Sequence, residues 1–354
     1  MKVCLINNLY FPYARGGAEK IVKQLAKNCA KENHEAFVIS TKPYFSKKTF
    51  DEDNNNYYLR SFFDYLKYCP RPLRAIYHFW NAINFVNYWR IKAILKKEKP
   101  DVVITHNLVG IGFLTPNLIK KLDIKYIHYL HDIQLIHPSG LLIFGHEQRL
   151  NSIFCKIYTN FTKKLFSHVD KIVASSKWIL NFHIEKEFFK SADKKISALK
   201  QPSDKAKKIT KTSNKFVYVG QVEKHKGILF LIEVFNSLSG DSAKKYQLDI
   251  IGDGVELKTA KKLAKKNNQI NFLGYIDNKT ICNKLGSYDA LIVPSLCYEN
   301  SPVVIQEANS HGLPVVASDI GGIPEIINTA NSYLLKPGDK RCWVKYFNEI
   351  ENII

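Results

Sequence analysis

The chain has 354 residues, in which Lys and Arg outnumber Asp and Glu by 52 to 32, a formal net charge of +20. At 45% hydrophobic content it can fill the cores of two ordinary domains, which excludes wholesale disorder. The positive excess favours anionic partners (nucleotides, nucleic acid or an anionic membrane surface) without choosing among them.

Lys2–Ile6 reads as the first strand, and MKVCLINN is too short an apolar run for a signal peptide. The loop NNLYFPYARGG leads to a helix starting near Ala18, with Ile21, Val22, Leu25, Ala26 and Cys29 at helical spacing. Gly16 and Gly17, directly before that helix, allow close backbone approach to an anion; an ordinary strand–helix turn would use the same residues. Ala36–Ser40 is the second strand, and DEDNNNYY over Asp51–Tyr58 reads as a polar surface loop. From Arg60 to Lys99 the sequence is aromatic and basic. Tyr65, Tyr68, Trp80, Tyr88 and Trp89 interleave with Lys67, Arg71, Arg74, Arg90 and Lys92, while Ile76, Phe79, Ile83 and Val86 share one helical face. A core stripe is the expected reading, and peripheral docking at a membrane is the alternative.

VVIT after Pro100-Asp101 is a strand ending at His106-Asn107, and Tyr126–Leu130 is one ending at His131-Asp132. Open α/β sheets bind ligands outside the carboxyl ends of their strands, which marks His131 and Asp132. DKIVASS is a further strand, with Ser175 or Ser176 as cap of the helix from Lys177, and Ile196–Leu199 closes the amino-terminal domain. KAKKITKTSN, Lys205–Asn214, has no apolar period and reads as a linker between domains at 1–204 and 215–354. Its charge suits solvation, and no nucleic-acid partner is expected.

The second half repeats strand, loop and helix: FVYVG (216–220) with a helix from Ile228, LDIIG (248–252) with one from Val255, and INFLG (270–274) with one from Lys279. Such alternation in both halves implies two doubly wound α/β domains, whose strand ends face each other across a cleft. GDG at 252–254 lacks the third glycine of a dinucleotide fingerprint. The stretch Asp289–Ile327 is the most informative. Ala290–Val293 is a buried strand, Ser301-Pro302 looks like an N-cap followed by proline at the first helical position, and Gly312 ends the helix. Glu299 lies in the loop at the strand's carboxyl end, and Glu307 lies inside a mostly apolar helix. A helix amino end suits phosphate, and a carboxylate nearby suits ligand hydroxyls; two solvent-facing acids would have the same spacing.

The seven cysteines (Cys4, Cys29, Cys69, Cys155, Cys282, Cys297 and Cys342) form no CxxC pair and read as free thiols in a reducing compartment. No stretch approaches ~18–20 uninterrupted apolar residues, so no transmembrane helix is expected. These features predict a cytoplasmic protein, with association at the inner face of the membrane left open. The short helical stretch KRCWVKYFNEIENII ends the sequence.

Glu299 and Glu307 with seven residues between them, PS before and GLPVVASDIGGIPEII after, resemble the signature of the retaining GT-B glycosyltransferases of family 4. The resemblance implies a fold of two Rossmann-like domains, an amino-terminal one for the acceptor and a carboxyl-terminal one for a nucleotide-sugar donor, UDP- or GDP-linked. It implies that Glu307 accepts from the ribose hydroxyls and that Glu299 contacts the transferred sugar, with the backbone of Asn300, Ser301, Pro302 and Val303 at the donor. GQVEKHKG (220–227) resembles the family's phosphate loop: Lys226 stands at its lysine position, and Gln221 replaces the family's arginine with an uncharged donor. Gly274 and Tyr275 fall where relatives place the nucleobase. Gly17 falls near the donor phosphates, Gly16 and Asp132 near the acceptor, and His131 near the transferred sugar. Relatives need no bound metal, and neither a metal nor another cofactor is expected.

The implied reaction is sugar transfer with retained anomeric configuration, for cell-surface polysaccharide or glycolipid synthesis, onto a sugar or lipid-linked acceptor. The departing phosphate needs positive charge and N–H dipoles, here Lys226, the helix end near Ser301–Val303 and Gly17. Three rivals are a GT-B sugar-nucleotide epimerase, a non-catalytic nucleotide-sugar-binding subunit (suggested by Gln221) and a nucleic-acid binder suggested by charge alone.

Overall fold

The computed structural model describes every residue except 15, 54, 63–68, 71–76, 78–79, 198–213, 241–244, 328–331 and 350–354. The chain forms two compact units, Met1–Leu141 with Gln148–Ser197, and Leu142–Glu147 with Ala198–Ile354. The split at 1–204 and 215–354 leaves the first half whole, whereas in the structure Leu142–Glu147 belong to the second unit. Of the expected linker only Asn214 is described.

In the first unit β1 (Lys2–Ile6), β2 (Glu35–Pro43), β3 (Phe50–Asp51), β4 (Asn56–Ser61), β5 (Val102–Thr105), β6 (Lys125–Leu130), β7 (Lys171–Ala174) and β8 (Asp193–Ile196) make one sheet. Its order is β3-β4-β2-β1-β5-β6-β7-β8, parallel except for β3 against β4. Cys4, Leu5 and Ile6 are fully buried, as continuous apolar runs are when helices cover both faces of a parallel sheet. The helices are α1 (Gly17–Lys31), α2 (Phe85–Glu98), α3 (Thr115–Lys121), α4 (Ile153–Leu165) and α5 (Lys177–Glu185). Val22 of α1, backed by Leu25, Ala26 and Cys29, packs on Val3, Leu5 and Val38. Ser176 caps α5, its hydroxyl accepting from the Ile179 N–H.

Two first-unit expectations change. Asp51–Tyr58 is a surface turn only around Glu52 and Asp53: Asp51 ends β3 and Asn56–Tyr58 begin β4, with Asp51, Asn56 and Tyr58 buried. Its polar groups satisfy one another, Asn56 with Ser40 (2.9 Å) and the Tyr58 hydroxyl with Asp51 (3.1 Å), so polarity there marks a buried network. The aromatic stripe before Lys99 is not core throughout. Trp80, Phe85, Val86 and Trp89 are each 60–65% exposed, while Ile91 and Leu95 form the buried side of α2. Ile76, Phe79, Tyr65, Tyr68, Lys67, Arg71 and Arg74 lie outside the described residues.

In the second unit β9 (Lys215–Val219), β10 (Gln247–Ile251), β11 (Ile270–Gly274), β12 (Ala290–Val293), β13 (Val315–Ser318) and β14 (Tyr333–Leu335) form a parallel sheet in the order β11-β10-β9-β12-β13-β14. Its helices are α6 (Ile228–Phe235), α7 (Leu257–Ala264), α8 (Asn278–Leu285), α9 (Val303–Ser310), α10 (Ile323–Ile326) and α11 (Lys340–Glu349). Alternation along β9 divides the core: Phe216 and Tyr218 join α6 and α11 on one face, and Val217 joins α9 and α10 on the other. Trp343 and Phe347 of α11 seal the first face against Phe230 and Phe216. GDG serves packing: a Cβ at Gly252 would lie 1.9 Å from the Gly220 carbonyl oxygen, and one at Gly254 2.4 Å from that of Val222. Helix α7 begins at Leu257, two residues after Val255, and β8 ends at Ile196, where the sequence suggests a strand to begin.

Candidate active site

A doubly wound sheet opens a crevice where consecutive crossovers leave in opposite directions, because the loops there part to opposite faces. In the second unit this point lies between β9 and β12. The loop after β9 carries Gln221, His225 and Lys226, and the loop after β12 carries Glu299. Gly227 fastens the two: it adopts φ +76°, and a Cβ there would fall 1.8 Å from the Pro294 carbonyl oxygen. The Leu296 N–H donates to the His225 carbonyl (2.9 Å). The result is an ion pair between residues 73 apart in sequence, Lys226 Nζ to Glu299 Oε1 at 2.7 Å.

Glu299 Oε1 also accepts from the Ser295 hydroxyl (3.0 Å). Burial pushes the Glu299 carboxyl up, but the Lys226 ammonium and the Ser295 bond outweigh it and hold the group below the usual carboxylate range. Burial likewise works against the Lys226 charge, and Glu299 more than restores it. Both are therefore ionised at neutral pH. Lys226 keeps 28% of its side chain exposed against 15% for Glu299, so the cation is the more accessible partner. Gly321 and Gly322 clasp the Glu299 backbone, the Gly322 N–H donating to its carbonyl (2.8 Å).

Leu142–Glu147 form a strap on this loop that sequence reading misses. Ile143 bridges Cys297, the Phe144 N–H donates to the Leu296 carbonyl (2.9 Å), and the Tyr298 N–H donates to the Leu142 carbonyl (2.8 Å). The Tyr298 hydroxyl donates to Glu147 Oε1 (2.9 Å). No local pattern announces it, since its partners are some 150 positions away. Tyr298→Phe should lower the unfolding free energy of the second unit by about 1.5–3 kcal/mol, the worth of a bond to a charged acceptor. Urea denaturation would measure it, and an unchanged midpoint would mean that the strap's backbone bonds suffice.

The other donor-side candidates lie in the same unit. Ser301 does not cap α9: the N-cap is Pro302, without a side-chain bond, and the Ser301 hydroxyl accepts from Gln306 (2.9 Å). Pro302 thus stands one position earlier than expected, and Val303 opens the helix, whose first turn offers its N–H groups. Asn300 is buried and Glu307 half-buried on α9. Gln221 is exposed, and its carbonyl accepts from the Tyr218 hydroxyl (2.6 Å). Gly274 takes φ +70°, and Tyr275 beside it is 81% exposed, a ring open to stacking.

In the first unit the corresponding point lies between β1 and β5. Gly16 and Gly17 begin α1, where the Gly16 N–H donates to Glu19 Oε2 (2.9 Å). His131 and Asp132 directly follow β6, beside β5. His131 Nε2 meets His106 Nδ1 at 2.7 Å, in a stack with Tyr129, and the Asp132 carboxylate accepts from the Gln134 N–H (2.7 Å) beneath Gly140. Burial lowers His131 to about 3 and raises Asp132 to about 6. Burial and the neighbouring histidines push His106 down as well, so the His106–His131 pair is neutral at pH 7 and one ring donates to the other. Among the described residues, no three His, Cys, Asp or Glu side chains gather as a metal site.

The pattern described as "Glycosyltransferase Family 4" matches residues 15–194, and that described as "Glycosyl transferases group 1" matches residues 200–353. A Klebsiella pneumoniae protein described as an uncharacterized 42.6 kDa protein in a cps region is 29% identical over 342 residues, covering 92% of this chain and 87% of its own. The apo lipopolysaccharide outer core galactosyltransferase WaaB superposes with a TM-score of 0.63 at 19% identity, over 99% of this chain and 90% of that one. The Anabaena protein HepE, solved with UDP-glucose, superposes with a TM-score of 0.67 at 17% identity, over 100% and 90%.

Proposed function

The chain belongs to glycosyltransferase family 4, and from that membership we propose that it moves a sugar from a UDP- or GDP-linked donor to an acceptor hydroxyl, with retained anomeric configuration. The observation that carries the reading is the Lys226–Glu299 pair at the crevice of the second sheet, a cation and a carboxylate 2.7 Å apart. HepE, of like fold, was solved with UDP-glucose, which supports a nucleotide-sugar donor.

The hard step is departure of the nucleotide phosphate. An ammonium has three donors; Glu299 takes one at Lys226, and the others are available to the diphosphate. The N–H groups of the first turn at Val303, with Ser301 and Pro302 leading into it, add a positive dipole end. Glu299, kept anionic, orients the sugar and supports the positive charge that develops at its ring. The leaving phosphate takes the acceptor proton, so no enzyme nucleophile is required. His131, neutral, donates to or accepts from the sugar, and Asp132 and Gly16 face the acceptor. Gly274 and Tyr275 hold the base, Glu307 the ribose, and Gln221 and Asn300 the donor edges. The nucleotide sugar is a co-substrate, and no metal or other cofactor takes part.

The acceptor is a sugar or lipid-linked molecule of cell-surface polysaccharide or glycolipid synthesis. The likeness to a lipopolysaccharide galactosyltransferase supports that class. A lipid-linked acceptor brings the enzyme to the inner face of a membrane as a peripheral protein. No helix among the described residues is long and apolar enough to cross one.

Screening nucleotide sugars by mass spectrometry, with and without acceptors, tests the reading. Transfer products that require an acceptor support it, and isomerisation of donor alone would replace it with the epimerase. Glu307→Ala should weaken nucleotide-sugar binding about 10- to 100-fold, the worth of hydrogen bonds to a charged group. Calorimetric titration would show it, and unchanged affinity would remove the ribose assignment.

A further inference from the structure

The loop after β9 holds a second acid–base pair beside Lys226 and Glu299. His225 directly precedes Lys226, and its Nδ1 lies 3.2 Å from Glu223 Oε2. A carboxylate repels a lone pair, so Nδ1 carries the proton of the neutral ring. Nε2, across the ring, makes no hydrogen bond to the described residues, and the side chain keeps 16% of its surface exposed. The backbone that carries the ring is fixed. The His225 carbonyl accepts from the Leu296 N–H (2.9 Å), and the Lys226 N–H donates to the Glu223 carbonyl (3.1 Å).

Charges around this ring offset one another. Lys224 and Lys226 flank it in sequence, Glu223 faces it within the loop, and the charge of Glu299 reaches it from the loop after β12. The two acids cancel the two lysines, and Gln221 at the head of the loop adds nothing. His225 therefore decides whether the loop is neutral or singly positive. Burial and the Lys226 charge hold the ring below the ordinary histidine range, against the opposing pull of Glu223 and Glu299, so it is neutral at pH 7 in the free protein.

A sugar diphosphate brings negative charge to this edge, and nearby anions favour the charged form of an imidazole. The neutral ring can donate only through Nδ1, already turned to Glu223, whereas an imidazolium donates through Nε2 as well. We propose that His225 takes up a proton from solvent when the donor diphosphate binds, with Glu223 facing Nδ1 and the new Nε2–H donating to a phosphate oxygen. The inference rests on the donor crevice proposed above. It adds to Lys226 a second cation that exists only in the complex.

Calorimetric titration of the full chain at neutral pH, in buffers of unlike ionisation enthalpy, counts the protons taken up. The probes are UDP-glucose and GDP-mannose. The sugar cap removes the second phosphate ionisation, at about pH 6, so neither probe titrates on its own account. The expected result is net proton uptake by the wild type and none by His225→Gln. The variant should bind about tenfold more weakly or worse, the worth of a hydrogen bond to a charged group. Wild-type affinity should rise as pH falls toward about 6.5, the ordinary histidine value, because the complex holds one more proton than its parts; the variant's affinity should stay flat. Glu223→Gln leaves the ring in place and should lessen the uptake. Binding without proton uptake, or equal uptake by His225→Gln, would overturn the proposal and leave the donor crevice standing. Failure of both probes to bind would overturn the two together.

Discussion

Lys226→Ala is expected to lower turnover about 10²-fold or more, the usual loss when a group that stabilises growing negative charge is removed. The same change leaves Glu299 as a buried anion without its cation, and removing one partner of a buried pair costs about 3–5 kcal/mol. Stability and catalysis must therefore be read apart. Lys226→Met with Glu299→Leu removes both charges and should recover most of the lost stability while turnover stays low. A double variant that regains turnover would end the role given to Lys226, as would a wild-type rate in Lys226→Ala. The pair also predicts a pH dependence. The Glu299 carboxyl titrates lower in the folded chain than in the unfolded one. Its contribution is thus present above the ordinary glutamate range, about pH 4.3, and is lost as pH falls through the folded value. Lys226 titrates higher when folded, so its share is complete below about pH 10 and lost above it. Glu299→Gln should flatten the acid limb of a thermal-stability profile, and an unchanged limb would contradict the pairing.

Gly227→Ala should be as damaging by a different route. The position needs φ +76°, and an added Cβ would meet the Pro294 carbonyl at 1.8 Å, a backbone atom that cannot rotate away. Left-handed strain alone costs about 1–2 kcal/mol. With the displaced loop the expected loss is about 3–5 kcal/mol, at the upper end for single substitutions. Because Gly227 follows Lys226 directly and presses on the loop that leads to Glu299, turnover should fall with stability. Gly145→Ala makes a control: it too has positive φ, but nothing lies within 4 Å of its Cβ. If the two variants unfold at the same denaturant concentration, the close approach carries no cost and the loop-clamping role fails.

Much of this protein is written locally. The apolar runs Lys2–Ile6, Phe216–Val219 and Ala290–Val293 become buried strands because four or five such residues can satisfy their backbone only in a sheet. The strand–helix alternation then requires two doubly wound units, and the stretch Asp289–Ile327 begins beside the switch point of the second sheet. Polar pairs deceive a local reading. Asp51–Tyr58 looks like a loop because nothing in the segment shows that Ser40 waits beside Asn56. The α2 aromatics look like core because periodicity tells which residues share a face and not what lies against it.

The sequence by itself determined the fold class, the family and the kinds of residue at the strand ends. Tertiary structure decided which of them meet: Lys226 with Glu299 across 73 residues, His131 with His106, Tyr298 with Glu147 of a strap from the first half of the chain. The reason is physical. Local sequence fixes dihedral preferences and apolar period, whereas the pairing of distant polar groups depends on strand order, which is set by the burial of both sheets as wholes.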